Sequence, residues 1–417
     1  MRAFILSTVA LATLALAVPT LAQDKPLAGQ SITVLMPSPQ AATIAAEFEA
    51  ETGVHVDLQT LSWDDIRPKL VTALIAGTPP ADVTEFDWSW TGQFAAADWY
   101  VDLSSAIDDE TKSDIKGTSL FDIGGKLLGV PYTNDFRVML INRKHFTDAG
   151  LTGTPKTLDD LVAAAKAIKA KGITQYPIGL PLSPTEGAST SWYLLTKAFG
   201  GDLFDKDWKP LFVTPDSAGY KAMAFEAQLL KDGLVDPAST GLKDSQINDN
   251  YFAKGLVSIM ISGEPGRLGQ YADPAQSQVA GQVEAIVVPT VSGTTRSYGL
   301  LEALAVPKVS QNQEAAIAFV KWFTSKKFQI ENYANGVLPT RTSALDELNK
   351  AGKLTSGDAL VEESKYVEPL FAQGTPTWYP QFSSAVNTAI NSVAKGEITV
   401  DQAMQNIADA TEKAKSE

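Results

Sequence analysis

The sequence contains no cysteine and only two histidines, His55 and His145. Without cysteine no disulfide can form, so the packed core alone must stabilise the fold. Structural zinc and iron sites in proteins are built mainly from cysteine and histidine, and neither histidine lies near another candidate ligand in the sequence. We therefore expect no metal, no cofactor and no catalytic triad that depends on histidine.

Positive charge is also scarce. The chain carries 34 lysines and arginines against 48 aspartates and glutamates, a formal net charge of −14. Such a surface repels the phosphates of nucleic acids and of anionic lipids. We therefore exclude nucleic acid and anionic membranes as partners.

The N-terminal 22 residues have the pattern of a secretory signal peptide. Arg2 provides a positive start, residues 4–18 form an apolar stretch, and small residues precede a cleavage site after Ala22. The alternative is a membrane anchor, but the apolar stretch is shorter than the ~20 residues that a spanning helix needs. We predict cleavage and a location in the periplasm.

The remaining residues, 23–417, are too many for one ordinary core, which predicts two lobes. Near the N-terminus, apolar β-branched runs alternate with amphipathic segments. This order predicts a parallel sheet covered by helices on both faces. The predicted strands are 31–36, 54–58 and 81–86, and the predicted helices between them are 41–51 and 63–75.

Further helices are predicted at 157–171, 191–199 and 216–232. Strands predicted at 283–288 and 300–306 are followed only by helices, so they resemble late additions to a sheet begun earlier. A chain that crosses between two lobes more than once has this pattern, and its crossing segments are then hinges.

Several short motifs occur in an order and spacing that resemble one family. They read AGTPPADV at 76–83, GVPY at 129–132, AFGGDLF at 198–204, VSIMISG at 257–263 and GVLPTR at 336–341. Together they resemble the substrate-binding proteins of carbohydrate ABC importers, the extracellular solute-binding protein family 1, which includes maltose-binding protein. The resemblance covers essentially the whole mature chain.

This resemblance implies an α/β fold of the two-lobe periplasmic binding protein type (type II), with hinges near 131–135, 285–289 and 336–340. Lobe 1 would comprise 23–133 and 287–337, and lobe 2 would comprise 134–286 and 338–417. It implies a monomeric, non-catalytic protein that binds a small sugar, disaccharide or polyol. The partners implied are the ABC transporter permease subunits of the inner membrane.

A sugar presents a flat C–H face and a rim of hydroxyl groups, so its site needs aromatic rings and groups that form bidentate hydrogen bonds. In α/β folds these groups come from loops at the carboxyl ends of strands. The candidates from the first third of the chain are Ser38, Gln40, Asp87, Trp88, Asn134, Asp135 and Arg137.

Three of these candidates have alternative roles. Ser38 and Asp87 are suited to capping the helices that follow them. Arg137 is close enough in sequence to pair with Asp135, whereas an arginine without such a partner would favour an acidic sugar.

The candidates from later in the chain are partly carried over from the resemblance. They are Trp192, Gly263, Glu264, Tyr298, Gly299, Arg341 and Trp378. Trp192 could instead belong to the core, and Arg341 could brace a hinge. Pro265 stands where the family commonly has a tryptophan, which makes a long oligosaccharide ligand less suitable than a small one.

Two other functions are compatible with these residues. A secreted glycoside hydrolase would use two carboxylates about 5–10 Å apart, and Asp87 with Asp135 or Glu264 would provide them. Alternatively, the same fold would bind a non-carbohydrate solute such as a polyamine, for which several acidic side chains are available.

Overall fold

The computed structural model describes residues 25–37, 40–41 and 43–417, with only the backbone of Asp64. The predicted signal peptide and Ser38 lie outside the described residues. The strands are β1 (Ser31–Pro37), β2 (His55–Leu61), β3 (Val83–Asp87), β4 (Asp122–Ile123), β5 (Lys126–Leu127), β6 (Val130–Asn134), β7 (Val138–Asn142), β8 (Ile178–Gly179), β9 (Ile259–Gly263), β10 (Val283–Ile286), β11 (Ser297–Tyr298), β12 (Leu301–Ala305) and β13 (Val367–Glu368).

The helices follow the amphipathic segments of the sequence. They are α1 (Thr43–Thr52), α2 (Trp63–Ile75), α3 (Thr91–Ala96), α4 (Asp109–Asp114), α5 (Arg143–Asp148), α6 (Leu158–Ala170), α7 (Glu186–Ala198), α8 (Ala218–Lys231), α9 (Asp244–Ile247), α10 (Leu268–Ala272), α11 (Gln313–Phe323), α12 (Lys326–Asn332), α13 (Thr342–Lys350), α14 (Gly357–Ser364), α15 (Tyr379–Ala394) and α16 (Val400–Ser416). At α6, Thr157 and Asp160 form a capping box, because each side chain accepts a hydrogen bond from the backbone of the other residue.

The first sheet has five strands in the order β2-β1-β3-β12-β6. Strands β1, β2 and β3 are parallel, as predicted from the βα alternation. Strand β12 lies between β3 and β6 and is antiparallel to both, so the sheet is mixed rather than wholly parallel. The prediction that a late strand joins an earlier sheet is confirmed.

The second sheet has four strands in the order β10-β7-β9-β8. Strand β7 is antiparallel to β9 and β10, and only the β8–β9 pair is parallel. Because β10 is another late strand, the chain returns to each sheet after leaving it.

Three segments, at 131–135, 300 and 338–340, are hydrogen-bonded side by side. The amide of Asn134 donates to the carbonyl oxygen of Leu338 at 2.9 Å, and the amide of Asp135 donates to that of Leu300 at 2.8 Å. The Thr340 hydroxyl donates to the carbonyl oxygen of Pro131 at 2.9 Å. These contacts bring the predicted hinges at 131–135 and 336–340 together. Motion at these hinges and the limits of the two lobes stay predictions.

Among the described residues, one buried carboxyl group has no hydrogen-bond partner on either oxygen. Glu226 on α8 is 2% exposed, and neither of its oxygens has a hydrogen-bond partner. It lies beside Leu182, Met223 and Ile390. Burial raises the pKa of Glu226 well above its ordinary value, because ionisation there would leave an uncompensated charge in apolar surroundings.

This burial predicts a loss of stability as pH rises above the ordinary pKa of a glutamate. Folded Glu226 keeps its proton at pH values where the unfolded chain releases it, so the free energy of unfolding decreases as pH rises above the unfolded pKa. Glu226→Met should therefore raise the melting temperature by a few degrees at pH 8 and much less at pH 5. Glu47→Met on the exposed face of α1 is the control, and equal changes at both pH values would contradict the assignment.

Candidate functional site

A cavity of 460 Å³ lies where the ends of the first sheet's strands face helices and loops of the second sheet. An adjoining cavity of 850 Å³ shares part of its wall. The lining of the smaller cavity combines aromatic rings with many charged groups. Its residues are Pro37, Ser62, Trp63, Asp87, Trp88, Asp135, Arg137, Thr185, Glu186, Gly187, Thr190, Lys243, Asp244, Ser245, Glu264, Arg267, Leu300 and Glu302.

Asp87 ends β3 at the floor of this cavity, and its side chain caps the turn that follows. One carboxylate oxygen accepts from the Ser89 amide at 2.7 Å and from the Ser89 hydroxyl at 2.5 Å. The predicted capping role is therefore confirmed, and the residue also lines the cavity. Binding of ligand hydroxyls by Asp87 stays a prediction.

Trp88 lines the cavity with a largely buried ring. It is 4% exposed and packs edge-on against Tyr379, with ring centroids 5.0 Å apart. Trp90, one turn further, is 1% exposed and packs against Trp63 and Phe94. Trp90 therefore belongs to the core.

Two acidic residues that the sequence analysis did not select lie near Asp87: Glu302, which lines the floor of the cavity, and Glu85, which is buried behind it. Strand β12 places Glu302 directly opposite Asp87 on β3. The Tyr132 hydroxyl lies 2.9 Å from a carboxylate oxygen of both Glu85 and Glu302. A phenol has one hydrogen to donate, so the second short contact is a full hydrogen bond only when one of the two glutamates carries a proton.

Burial and mutual repulsion explain why these acids hold protons. Burial raises the pKa of Asp87 to about 7 against the hydrogen bonds from Ser89, and it raises the pKa of Glu302 to about 7 with help from the Asp87 charge. Burial, Glu302 and Asp87 together raise the pKa of Glu85 well above its ordinary value.

Oxygen atoms of Glu85, Asp87 and Glu302 lie within 4.8 Å of one another. A hard cation could bridge that spacing, but the raised pKa values of all three acids mean that protons reduce the same charge without an ion. We therefore assign no metal to this cluster.

Across the cavity, both arginines are paired with carboxylates. Arg137 contacts Asp135 at 2.5 Å, and Arg267 contacts Glu264 at 2.6 Å. Although burial opposes ionisation, the guanidinium groups of Arg267 and Arg137 lower the pKa of Glu264 to about 2. Because Arg137 is paired with Asp135, it is not the free arginine that would favour an acidic sugar.

Glu186 completes the wall from the first turn of α7, and the sequence analysis did not select it either. Its carboxylate accepts hydrogen bonds from the Tyr379 hydroxyl and, at 2.6 Å, from the Ser383 hydroxyl. Thus α15 fixes the position of Glu186 beside Trp88.

The structure brings seven of the described candidates to the cleft. Asp87, Trp88, Asp135, Arg137 and Glu264 line the smaller cavity, and Gln40 and Asn134 line the adjoining one. Gly263 lies just behind Glu264, where a Cβ atom would approach Leu140 Cγ to 2.4 Å. Gly263 therefore permits close packing of β7 and β9 and contributes no side chain to the cavity.

Four other candidates belong to the core, which corrects their predicted contact with ligand. Trp192 is fully buried and donates to the Gly219 carbonyl oxygen at 2.8 Å. Trp378 packs against Phe204 and Trp208 outside the lining of either cavity.

The remaining two core candidates lie behind Trp88 and use their polar groups elsewhere. The Tyr298 hydroxyl donates to the Thr190 carbonyl oxygen at 3.0 Å, and Tyr298 is fully buried. The Gly299 amide donates to the Glu368 carbonyl oxygen at 3.0 Å, so it does not face the cavity.

Arg341 braces the chain rather than facing the cleft. It is 9% exposed, and its guanidinium donates to the Thr324 carbonyl oxygen at 2.7 Å, to Thr111 at 2.9 Å and to Asp114 at 3.3 Å. The alternative role considered for it, bracing of the third crossing segment, is the one that these contacts support.

Comparisons with known proteins agree with this architecture. A family model described as "Bacterial extracellular solute-binding protein" matches residues 34–330. The chain is 28% identical over 396 residues to the diacetylchitobiose binding protein of Streptomyces coelicolor, covering 91% of this chain and 88% of that protein. It is 27% identical over 344 residues to a probable amino-acid ABC transporter periplasmic-binding protein of Sinorhizobium fredii, covering 78% and 75%.

A solved structure is similar over nearly its whole length. The ABC transporter solute-binding protein of Thermotoga lettingae bound with α-D-tagatose superposes with a TM-score of 0.81 at 25% identity, covering 92% of this chain and 99% of that one. The two-lobe type II fold predicted from the sequence is therefore confirmed. Among the described residues, no helix is long and apolar enough to cross a membrane.

The contacts of Arg341 predict a stability role that is separate from ligand binding. Arg341→Ala should lower the free energy of unfolding by about 2–3 kcal/mol, because it removes charged hydrogen bonds and leaves Asp114 without its cation. Denaturant unfolding measures this change, with Lys350→Ala on the exposed end of α13 as the control. If Arg341→Ala instead weakened ligand binding more than tenfold without changing the free energy of unfolding, Arg341 would belong to the binding site.

Proposed function

The chain belongs to the family of bacterial extracellular solute-binding proteins, and we propose that it captures a small sugar, disaccharide or polyol in the cleft. We further propose that it acts in the periplasm as a monomer and delivers this solute to the permease subunits of an ABC transporter in the inner membrane.

The observation that carries the proposal is a cavity of 460 Å³ whose wall comes from both sheets. That volume lies within the range of small-molecule sites. Trp88 from the first sheet offers an aromatic surface, and carboxylates from both sides offer acceptors for hydroxyl groups.

A ligand in this position would couple binding to closure. Asp87 and Glu302 come from the first sheet, whereas Glu264 follows β9 of the second and Glu186 begins α7. A solute that contacts both walls only when they approach each other stabilises the closed arrangement. The closed protein would then be the form that a permease distinguishes from the empty one.

The relatives support a small polar solute. One is named for diacetylchitobiose, and the Thermotoga lettingae protein was solved with α-D-tagatose. The Sinorhizobium fredii relative is named for amino acids. A polar solute other than a sugar is therefore the alternative ligand within the same family.

Catalysis is not part of the proposal. The carboxylates that a glycoside hydrolase would use are already engaged: Asp87 caps a turn, Asp135 pairs with Arg137 and Glu264 pairs with Arg267. Release of sugar or nitrophenol from a panel of chromogenic glycosides would contradict the non-catalytic assignment.

Two matched tryptophan variants test the site. A thermal-shift panel of monosaccharides, disaccharides and alditols first identifies the solutes that stabilise the protein. For any solute so identified, Trp88→Ala should weaken binding at least tenfold by calorimetry at 25 °C. Trp378→Ala should lower the melting temperature but leave the dissociation constant within about threefold, because its ring lies in the core.

Equal effects of the two variants on affinity would contradict the placement of the ligand beside Trp88. Absence of any response to the whole panel would overturn the carbohydrate assignment. Small-angle scattering supplies an independent measurement, since a bound solute should reduce the radius of gyration.

A further inference from the structure

From the charges around the cavity we infer that the bound solute carries a protonated amine in addition to hydroxyl groups. This inference rests on the proposed function and specifies its substrate class: an amino sugar, an amino alditol or a similar hydroxylated amine.

The lining of the cavity has twice as many acidic as basic side chains. Six carboxylates line it, from Asp87, Asp135, Glu186, Asp244, Glu264 and Glu302, against three cationic side chains, Arg137, Lys243 and Arg267. The two arginines are paired with Asp135 and Glu264, so they do not offset the acids on the floor. An anionic sugar would meet more carboxyl groups than cationic groups in this cavity.

The floor concentrates this negative charge at one place. Glu302 and Asp87 are direct neighbours on antiparallel strands, an arrangement that is unfavourable when both are ionised. Glu85 stands behind them fully buried, with one carboxylate oxygen that has no hydrogen-bond partner. Tyr132 has a single hydrogen for two of these three acids. The empty site therefore needs a positive charge, which a proton supplies.

An ammonium group suits this place better than a hydroxyl group does. It brings a full positive charge and three hydrogen-bond donors, whereas each hydroxyl brings one donor and no charge. Trp88 lines the cavity next to Asp87, and an indole ring attracts cations. Neutral side chains at positions 87 and 302 would serve a neutral sugar without the repulsion between the two carboxylates.

Exchange of a proton for an ammonium group makes affinity depend on pH. Charged and titratable groups face Asp87 and Glu302 from every neighbouring element: Glu85, Tyr132, Asp135, Arg137, Glu186 and Glu264. Because the floor acids hold protons near neutral pH in the empty protein, a cationic solute must displace one. Its affinity should therefore increase from pH 5.5 to pH 8, where the acids are ionised and an alkyl amine is still protonated.

Matched ligands test the inference directly. The probes are sorbitol, 1-amino-1-deoxysorbitol and gluconate, together with the neutral, amino and carboxylate forms of each monosaccharide in the panel. Calorimetry at pH 8 should give the amino form at least tenfold tighter binding than the neutral form and no binding of the carboxylate form. At pH 5.5 the amino form should bind at least tenfold more weakly than at pH 8.

Glu302→Gln keeps the size of the side chain and removes its charge. It should reduce the preference for the amino form over the neutral form, measured as the ratio of their dissociation constants, below about threefold. The matched control is Glu284→Gln on β10, where the glutamate pairs with Arg143 outside the cavity and should leave the preference unchanged.

The possible results separate this inference from the proposed function. Neutral sugars that bind as tightly as their amino forms, without pH dependence, would overturn the inference and leave carbohydrate capture intact. Binding of spermidine or putrescine with no response to any hydroxylated probe would overturn the proposed function instead.

Discussion

The pairing of β12 with β3 and β6 is the interaction on which the rest of the cleft depends. It places a strand from late in the chain in the first sheet and sets Glu302 opposite Asp87. It also brings Glu302 to the hydroxyl of Tyr132 on β6. A shift of β12 by one residue would turn Glu302 to the opposite face of the sheet and dismantle the floor.

Much of the fold could be predicted because its signals are local. Apolar runs, capping residues and helix ends depend on nearby residues, and Thr157 at α6 is one example. The residues at the ends of β3 and β6 were found for the same reason: Asp87, Trp88 and Asp135 follow directly on apolar strands.

The acids that the sequence analysis missed depend on contacts between distant segments. Glu302 lies within an apolar strand, and only its pairing with β3 shows that it reaches the cavity. Glu186 was missed because α7 begins at 186, whereas the sequence pattern predicted a helix only from 191. Trp192 and Trp378 were selected as aromatic surfaces, but burial within a cluster of other rings is a property of the whole fold.

The late position of β12 also affects the order of folding. Until residue 305 has been synthesised, β3 and β6 have no strand between them, so the first sheet stays incomplete. Contacts between segments so far apart in sequence form slowly, because a long loop must close before they are made. The growing chain would thus lack a complete first sheet, and with it the Glu302–Asp87 pair, until late in its synthesis.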